Sequence, residues 1–312
     1  MSSPDNEPKP IFCSCFKLLG CMFNWLLMGS VIVQTFYFHL RSPKDRPAIQ
    51  MLVYIVVGLD IIQTGFATHN TWWLNVLTFG EGLRPTWSAS TIPGMAGLTS
   101  ALVQMFYAWR IHKLSRPKSL MSGLAIMIVM MALAQFTASF VSSTAIGITD
   151  VQKWEAKITE LNPAITCWLI VSFCNDILIS ACMIYILSGA KTSLSQISRT
   201  RKLMDKLIIH AIQTGTVTAV CAGINLLLFI KFAHAFYYIA PGMIAGKLYT
   251  ISLLSTLNSR DLGEPKDIQS DRSLSMRVQV TRTMERVEDV DLESSMQHWL
   301  RPSDPTQKKE NI

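Results

Sequence analysis

Asp60, Asp176 and Lys247 each stand inside a long apolar run. Two carboxyls and one ammonium make one ion pair and leave a carboxyl over. A surplus carboxyl in an apolar setting has to be protonated or hydrated, which suits proton coupling or the binding of a cationic ligand. The plainer reading is that Lys247 pairs with one aspartate and the set only holds helices in register. Polar contacts between membrane helices average less than about 1–2 kcal/mol each. Misplaced span boundaries would dissolve the set altogether. Gln63, Gln104, Gln135 and Gln213 also fall in apolar runs and, with Asn175 and nearby hydroxyls, can complete the hydrogen bonding. The candidate intramembrane polar site is therefore Asp60, Gln63, Gln104, Gln135, Asp176, Gln213 and Lys247.

Depth decides whether these groups can meet. Lys247 is ten residues from Leu257, or about 15 Å along a helix rising about 1.5 Å per residue. A hydrocarbon core is about 30 Å thick, so the ammonium belongs near its middle and must face protein or water. Asp60 and Asp176 each lie twelve residues into their runs, counted from Ala48 and Ala164, about 18 Å deep by the same rise. The three depths match.

The elements that must hold these groups are long and greasy. Half of the 312 residues are hydrophobic and 16% are charged, against about 25% in ordinary soluble domains. The mean hydropathy is +0.31. Seven spans are predicted, at about 18–40, 48–68, 92–111, 120–145, 163–187, 207–230 and 234–257. The fold class is all-α, a seven-transmembrane helix bundle, with a disordered segment at 1–17 and a disordered tail at 258–312. Residues 1–17 are polar and lack the basic start and cleavage site of a removable signal peptide. Pro163 is predicted to open the fifth span, because proline in a first turn loses no hydrogen bond. A short surface helix is expected in 147–162. Residues 70–91, with Trp72, Trp73 and Trp87, read as a loop lying along the headgroup level.

Lysine and arginine set the orientation. The segments after spans one, three and five carry three, three and five of them, and those after spans two, four and six carry one, two and one. Short cytoplasmic loops are the basic ones, so the N-terminus is predicted outside and the C-terminus in the cytoplasm. The net charge of +7 lies in these short segments, which excludes nucleic acid as its explanation. The tail is too polar for a core; in it, Arg272 precedes Ser275 by three residues, a spacing basophilic kinases accept and chance often supplies.

Catalysis finds no anchor. There is no HExxH or HxxxH spacing, no GxSxG elbow and no phosphate-binding glycine loop, and seven cysteines form no CxxC pair. His69 and His234 fall at the outer edge without metal-site spacing, and His210 near the cytoplasmic end reads as an interfacial histidine. No enzyme activity, cofactor or metal is expected. A lysine midway along a last helix is similar to that of retinal proteins, yet Met243 stands where microbial rhodopsins place an aspartate, so that likeness is one residue deep. The third span ends Ala108-Trp109-Arg110-Ile111-His112 with no acidic residue before the arginine, and the last lacks Asn-Pro-x-x-Tyr. The common receptor signatures are thus absent.

Several stretches resemble a large family of fungal, mostly basidiomycete, seven-helix membrane proteins known only as a domain of unknown function. They are Asp60-Ile-Ile-Gln-Thr-Gly-Phe with His69 following, Leu102-Val-Gln-Met-Phe-Tyr-Ala-Trp-Arg-Ile-His-Lys-Leu-Ser115, and Asn175-Asp-Ile-Leu-Ile-Ser. The segments running from Thr200 to Gly215 and from Lys247 to Arg260 add to them. The resemblance covers about 18–260, with the named domain at about 170–260. It implies that Asp60, Gln104, Asp176, Gln213 and Lys247 belong to a family pattern; it implies no activity, substrate or cofactor. The expected role is receptor- or sensor-like, with a small proton-coupled carrier or a ligand-free structural protein as alternatives. The expected partners are the lipid bilayer, a small-molecule or lipid ligand and a cytoplasmic partner of the tail. The plasma membrane is favoured over internal membranes.

Overall fold

In a computed structural model, the structure describes residues 10–41, 46–77, 86–115, 118–149, 153–193, 198–232 and 237–259. They form seven α-helices and, among the described residues, no strand. The helices are α1 (Pro10–Arg41), α2 (Pro47–Trp72), α3 (Trp87–Leu114), α4 (Lys118–Gly147), α5 (Trp154–Ser193), α6 (Ser198–Phe232) and α7 (Ile239–Asn258). Consecutive helices pack on one another, α7 closes back onto α1, and α3 reaches α2, α4, α5 and α7.

Five of the helices are long and apolar enough to cross a membrane: Cys15–Leu40, Pro47–Leu77, Leu120–Gly147, Thr159–Gly189 and Ile212–Phe232. That makes this a membrane protein. α3 and α7 do not reach the same apolarity, and the reason is their position. Twelve of the twenty residues of α7 are buried, Lys247, Thr250, Ser252 and Thr256 among them. α3 likewise buries Ser88, Ser90, Thr99, Ser100 and Gln104. These two helices face protein, so their polar side chains bond to protein. By contrast, the lipid-facing helices turn Leu26, Met51, Ile126 and Leu227 outward, each more than half exposed.

Small residues set how closely the helices approach, as expected where lipid offers no hydrophobic drive to associate. A Cβ on Gly20 of α1 would lie 2.8 Å from the Ala240 Cα of α7. At the other end of the same pair, Asn258 Nδ2 donates to the Gln34 carbonyl at 2.9 Å. α1 and α7 therefore run in the same direction, as a first and seventh helix in an up-down bundle must. Between α3 and α4, Gly94 and Gly97 lie against Ser143 and Ser139. The Ser139 hydroxyl donates to the Pro93 carbonyl at 2.6 Å and the Ser143 hydroxyl to the Ser90 carbonyl.

Several boundaries differ from expectation. α1 begins at Pro10 rather than near 18, because proline suits a first turn and the apolar Ile11 and Phe12 extend the run; only 1–9 of the expected disordered segment remains outside. Residues 70–77 are not loop: α2 runs to Trp72 and a π-helical turn covers Trp73–Leu77. Pro163 sits inside α5 instead of opening it. The expected surface helix is therefore the first two turns of α5. The basic stretch expected as a loop at 188–206 is mostly the ends of α5 and α6. The seventh span starts at Ile239. His234, Arg272, Ser275 and the tail from 260 lie outside the described residues, and so does the side chain of His210.

Candidate functional site

Lys247 is wholly buried on α7, and its ammonium points at α2. It donates to Gln63 Oε1 at 3.0 Å and to the Asp60 carbonyl at 3.1 Å, with Asp60 Oδ1 at 3.5 Å. Asp60 and Gln63 are three residues apart, so one face of α2 offers both. The Asp60 carbonyl also accepts from Thr64 Oγ1 at 2.7 Å. Approach is close because Gly246 has no side chain: a Cβ there would sit 3.0 Å from Gln63 Oε1. Asp60 Oδ2 and Gln63 Nε2 are buried without a hydrogen-bond partner among the described residues.

Asp176 belongs to a second knot. Tyr249 donates its hydroxyl to Asp176 Oδ2 at 2.7 Å, and Gln104 Nε2 donates to Oδ1 at 3.2 Å. Gln104 Oε1 accepts from Asn175 Nδ2 at 3.0 Å and from Gln135 Nε2. Four helices, α3, α4, α5 and α7, each contribute at least one group, and both oxygens of Asp176 are held by neutral donors.

The expected single cluster is thus two. The division follows from helix geometry: Lys247 and Tyr249 are two residues apart, which at 3.6 residues per turn places them about 200° apart around α7. One faces α2 and the other faces α3 and α5. Six of the seven candidate residues (Asp60, Gln63, Gln104, Gln135, Asp176 and Lys247) are buried in these knots. Gln213 is exposed and belongs to neither, since α6 turns Thr214 and Thr218 toward the bundle instead. His69 bonds to Ser88 Oγ at 2.9 Å, and Thr86 Oγ1 to Asn70 Oδ1 at 3.0 Å, tying the end of α2 to the start of α3. Among the described residues, no three His, Cys, Asp or Glu side chains come together as a metal site would need.

Two cavities meet at the second knot. A cleft of about 40 Å3 with many polar residues along its wall runs from Gln104 and Asp176 past Tyr107 toward Arg110 and Ser259. Its wall includes a chain of hydroxyls, in which Tyr107 pairs with Ser252 at 2.8 Å and Thr256 at 3.1 Å. A larger, mostly apolar cavity of about 150 Å3 opens toward the opposite end, between Ser90, Ile146, Trp168 and Tyr238. Thr218 and Tyr249 line both. The Tyr249 hydroxyl also lies 3.4 Å from Ser172 Oγ, in the wall of the larger cavity. Tyr249 and Thr218 stand between the two.

Tyr249, Tyr107, Ser252 and Thr256 were not among the candidate residues. Their spacing carried a signal: Gln104 and Tyr107 are three apart, and Tyr249, Ser252 and Thr256 step by three and four, one polar stripe on each helix.

Residues 172–262 match a family model described as a family of unknown function (DUF6534). The match begins at Ser172, in the middle of α5, and takes in Asp176, Lys247 and Tyr249 but not Asp60 or Gln104. No curated protein and no solved structure matches the chain.

Proposed function

We propose that the chain is a receptor- or sensor-like membrane protein whose seven helices all cross the bilayer, with the N-terminus outside and the tail in the cytoplasm of the plasma membrane. α7 has 20 residues, about 30 Å of helix, which suits one crossing. The basic helix ends after α1, α3 and α5 support the orientation, and the wider resemblance to fungal seven-helix proteins supports the count. One observation carries the sensor reading. α7 holds Lys247 against α2 and Tyr249 against α3 and α5, so a small rotation of this helix alters both knots together. No catalytic step enters this reading.

A carrier is the second reading, favoured by the placement of one cavity on each side of Tyr249. Proteoliposomes loaded with a pH-sensitive dye separate the two. The sensor reading expects no proton entry above that of empty vesicles; entry that Asp176→Asn abolishes overturns it in favour of a carrier. A positive test uses spin labels at Lys113→Cys and Ile209→Cys, both exposed at the Arg110 end. The sensor reading expects Tyr249→Phe to shift the distance distribution between them. An unchanged distribution means that the knot does not reach the far end of the bundle.

A further inference from the structure

The larger cavity has the walls of a binding site rather than of a packing fault. α3, α5, α6 and α7 supply most of its wall, with Asn70 of α2 and Ile146 of α4 at the edge. Apolar groups predominate, with Trp168, Leu169, Ile92 and Leu248 among them, and none of the lining residues is charged. Polar atoms are few, and most are already bonded. Ser90 donates to the Trp87 carbonyl and Ser100 to the Gly97 carbonyl, each within its own helix. Asn70 accepts from Thr86, and Ser172 pairs with Tyr249. The Asn225 Oδ1 is buried out of reach of the cavity, so the open wall is predominantly apolar.

We propose that this cavity binds a small neutral molecule, an aromatic or short aliphatic body of benzene size. A cavity of about 150 Å3 is the size that accommodates benzene in an apolar protein interior. Charged ligands are excluded because no lining side chain can neutralise them in so apolar a site. The body fills the space beside Trp168, and its inner edge rests on the ring of Tyr249. The inference deepens the sensor reading and rests on it for the consequence of binding, though not for binding itself. An occupant that moves Tyr249 disturbs the bond to Asp176, and with it the wall of the cleft beyond.

The test uses the full chain in nanodiscs and 4-bromobenzyl alcohol, whose bromine quenches an adjacent indole. With eight tryptophans in the chain, binding beside Trp168 is expected to remove roughly one part in eight of the emission along a saturating curve, above the linear quenching that partition into lipid produces. Unbrominated benzyl alcohol should restore that component, and Trp168→Phe should eliminate it. Ala222→Leu and Ala245→Leu each fill the cavity from a different helix and should abolish it, with thermal unfolding run beside them as a check of folding. 4-Bromobenzoate should give no saturable component. Quenching that stays linear, ignores benzyl alcohol and persists in folded Ala222→Leu and Ala245→Leu overturns the proposal. Saturable binding that leaves the Lys113–Ile209 distance distribution unmoved overturns the sensor reading and leaves the site standing.

Discussion

Replacing Lys247 with methionine removes three donated bonds at once and leaves the wholly buried Asp60 carboxyl without its ammonium partner, with the Thr250 hydroxyl beside it. Replacing Asp60 with asparagine is milder. The ammonium keeps Gln63 Oε1 at 3.0 Å and the residue-60 carbonyl at 3.1 Å, both shorter than its 3.5 Å approach to Asp60 Oδ1. At 3.5 Å, two unit charges attract by about 5 kcal/mol at an effective dielectric constant of about 20. Breaking a buried pair from one side costs about 3–5 kcal/mol. For a bundle of this size, roughly 2–4 °C per kcal/mol, Lys247→Met should lower the unfolding midpoint by roughly 6–20 °C. Asp60→Asn breaks the same pair but keeps two of the three lysine bonds, so it should cost less than Lys247→Met. The double variant removes both charges and should unfold near the Asp60→Asn protein, well above Lys247→Met. The assay is thermal unfolding of the four proteins in one detergent, followed by tryptophan emission and closed as a double-mutant cycle. Losses that add within about 0.5 kcal/mol would show that the two charges do not interact. A larger loss for Asp60→Asn than for Lys247→Met would refute the claim that the carbonyl oxygens, rather than the carboxylate, hold the ammonium. Full function in the double variant would favour a purely structural role for this knot.

Three further outcomes follow from the packing. Gly20→Ala should cost about 1–3 kcal/mol, because its methyl would fall 2.8 Å from the Ala240 backbone and overpacking of this kind forces helices apart. Gly58→Ala, where a Cβ meets nothing within 4 Å, should leave the midpoint unchanged or raise it. Equal effects at the two sites would sink the small-residue account of the α1–α7 contact. Tyr249→Phe strips Asp176 Oδ2 of its 2.7 Å donor while keeping the ring, and an unmet buried acceptor costs about 1–3 kcal/mol. A midpoint within 1 °C of wild type would show that water serves that oxygen as well. Epitope tags at the two termini test the orientation: antibody should reach the N-terminal tag on intact cells and the C-terminal tag only after permeabilisation. Both tags on one side would rule out an odd number of crossings.

Much of the bundle was readable from the sequence because apolar runs and basic ends are local properties. The boundaries were less so. Pro163 and Pro10 obey the same rule, yet Pro10 opens a helix and Pro163 sits inside one, since the choice depends on whether the preceding residues can also be helical. The buried polar residues were legible one at a time, because a glutamine or aspartate in a greasy run stands out. Their grouping was not. Equal depth is necessary for contact, and Asp60, Asp176 and Lys247 have it, but depth leaves rotation about each helix axis open. The rotation of α7 is set by Gly20 against Ala240 on one side and Gly246 against Gln63 on another, long-range contacts between residues with no special chemistry of their own. Once those glycines fix the helix, Lys247 can reach only α2, and Tyr249 is turned to Asp176. The same rotation places Tyr249 between the two cavities. Gln213 shows the converse: a glutamine near the end of its span, one position away from Thr214, faces outward because α6 presents its threonines to the cleft. For the site, the glycines are therefore as decisive as the charges, since they choose which aspartate the lysine meets and leave the other with the tyrosine.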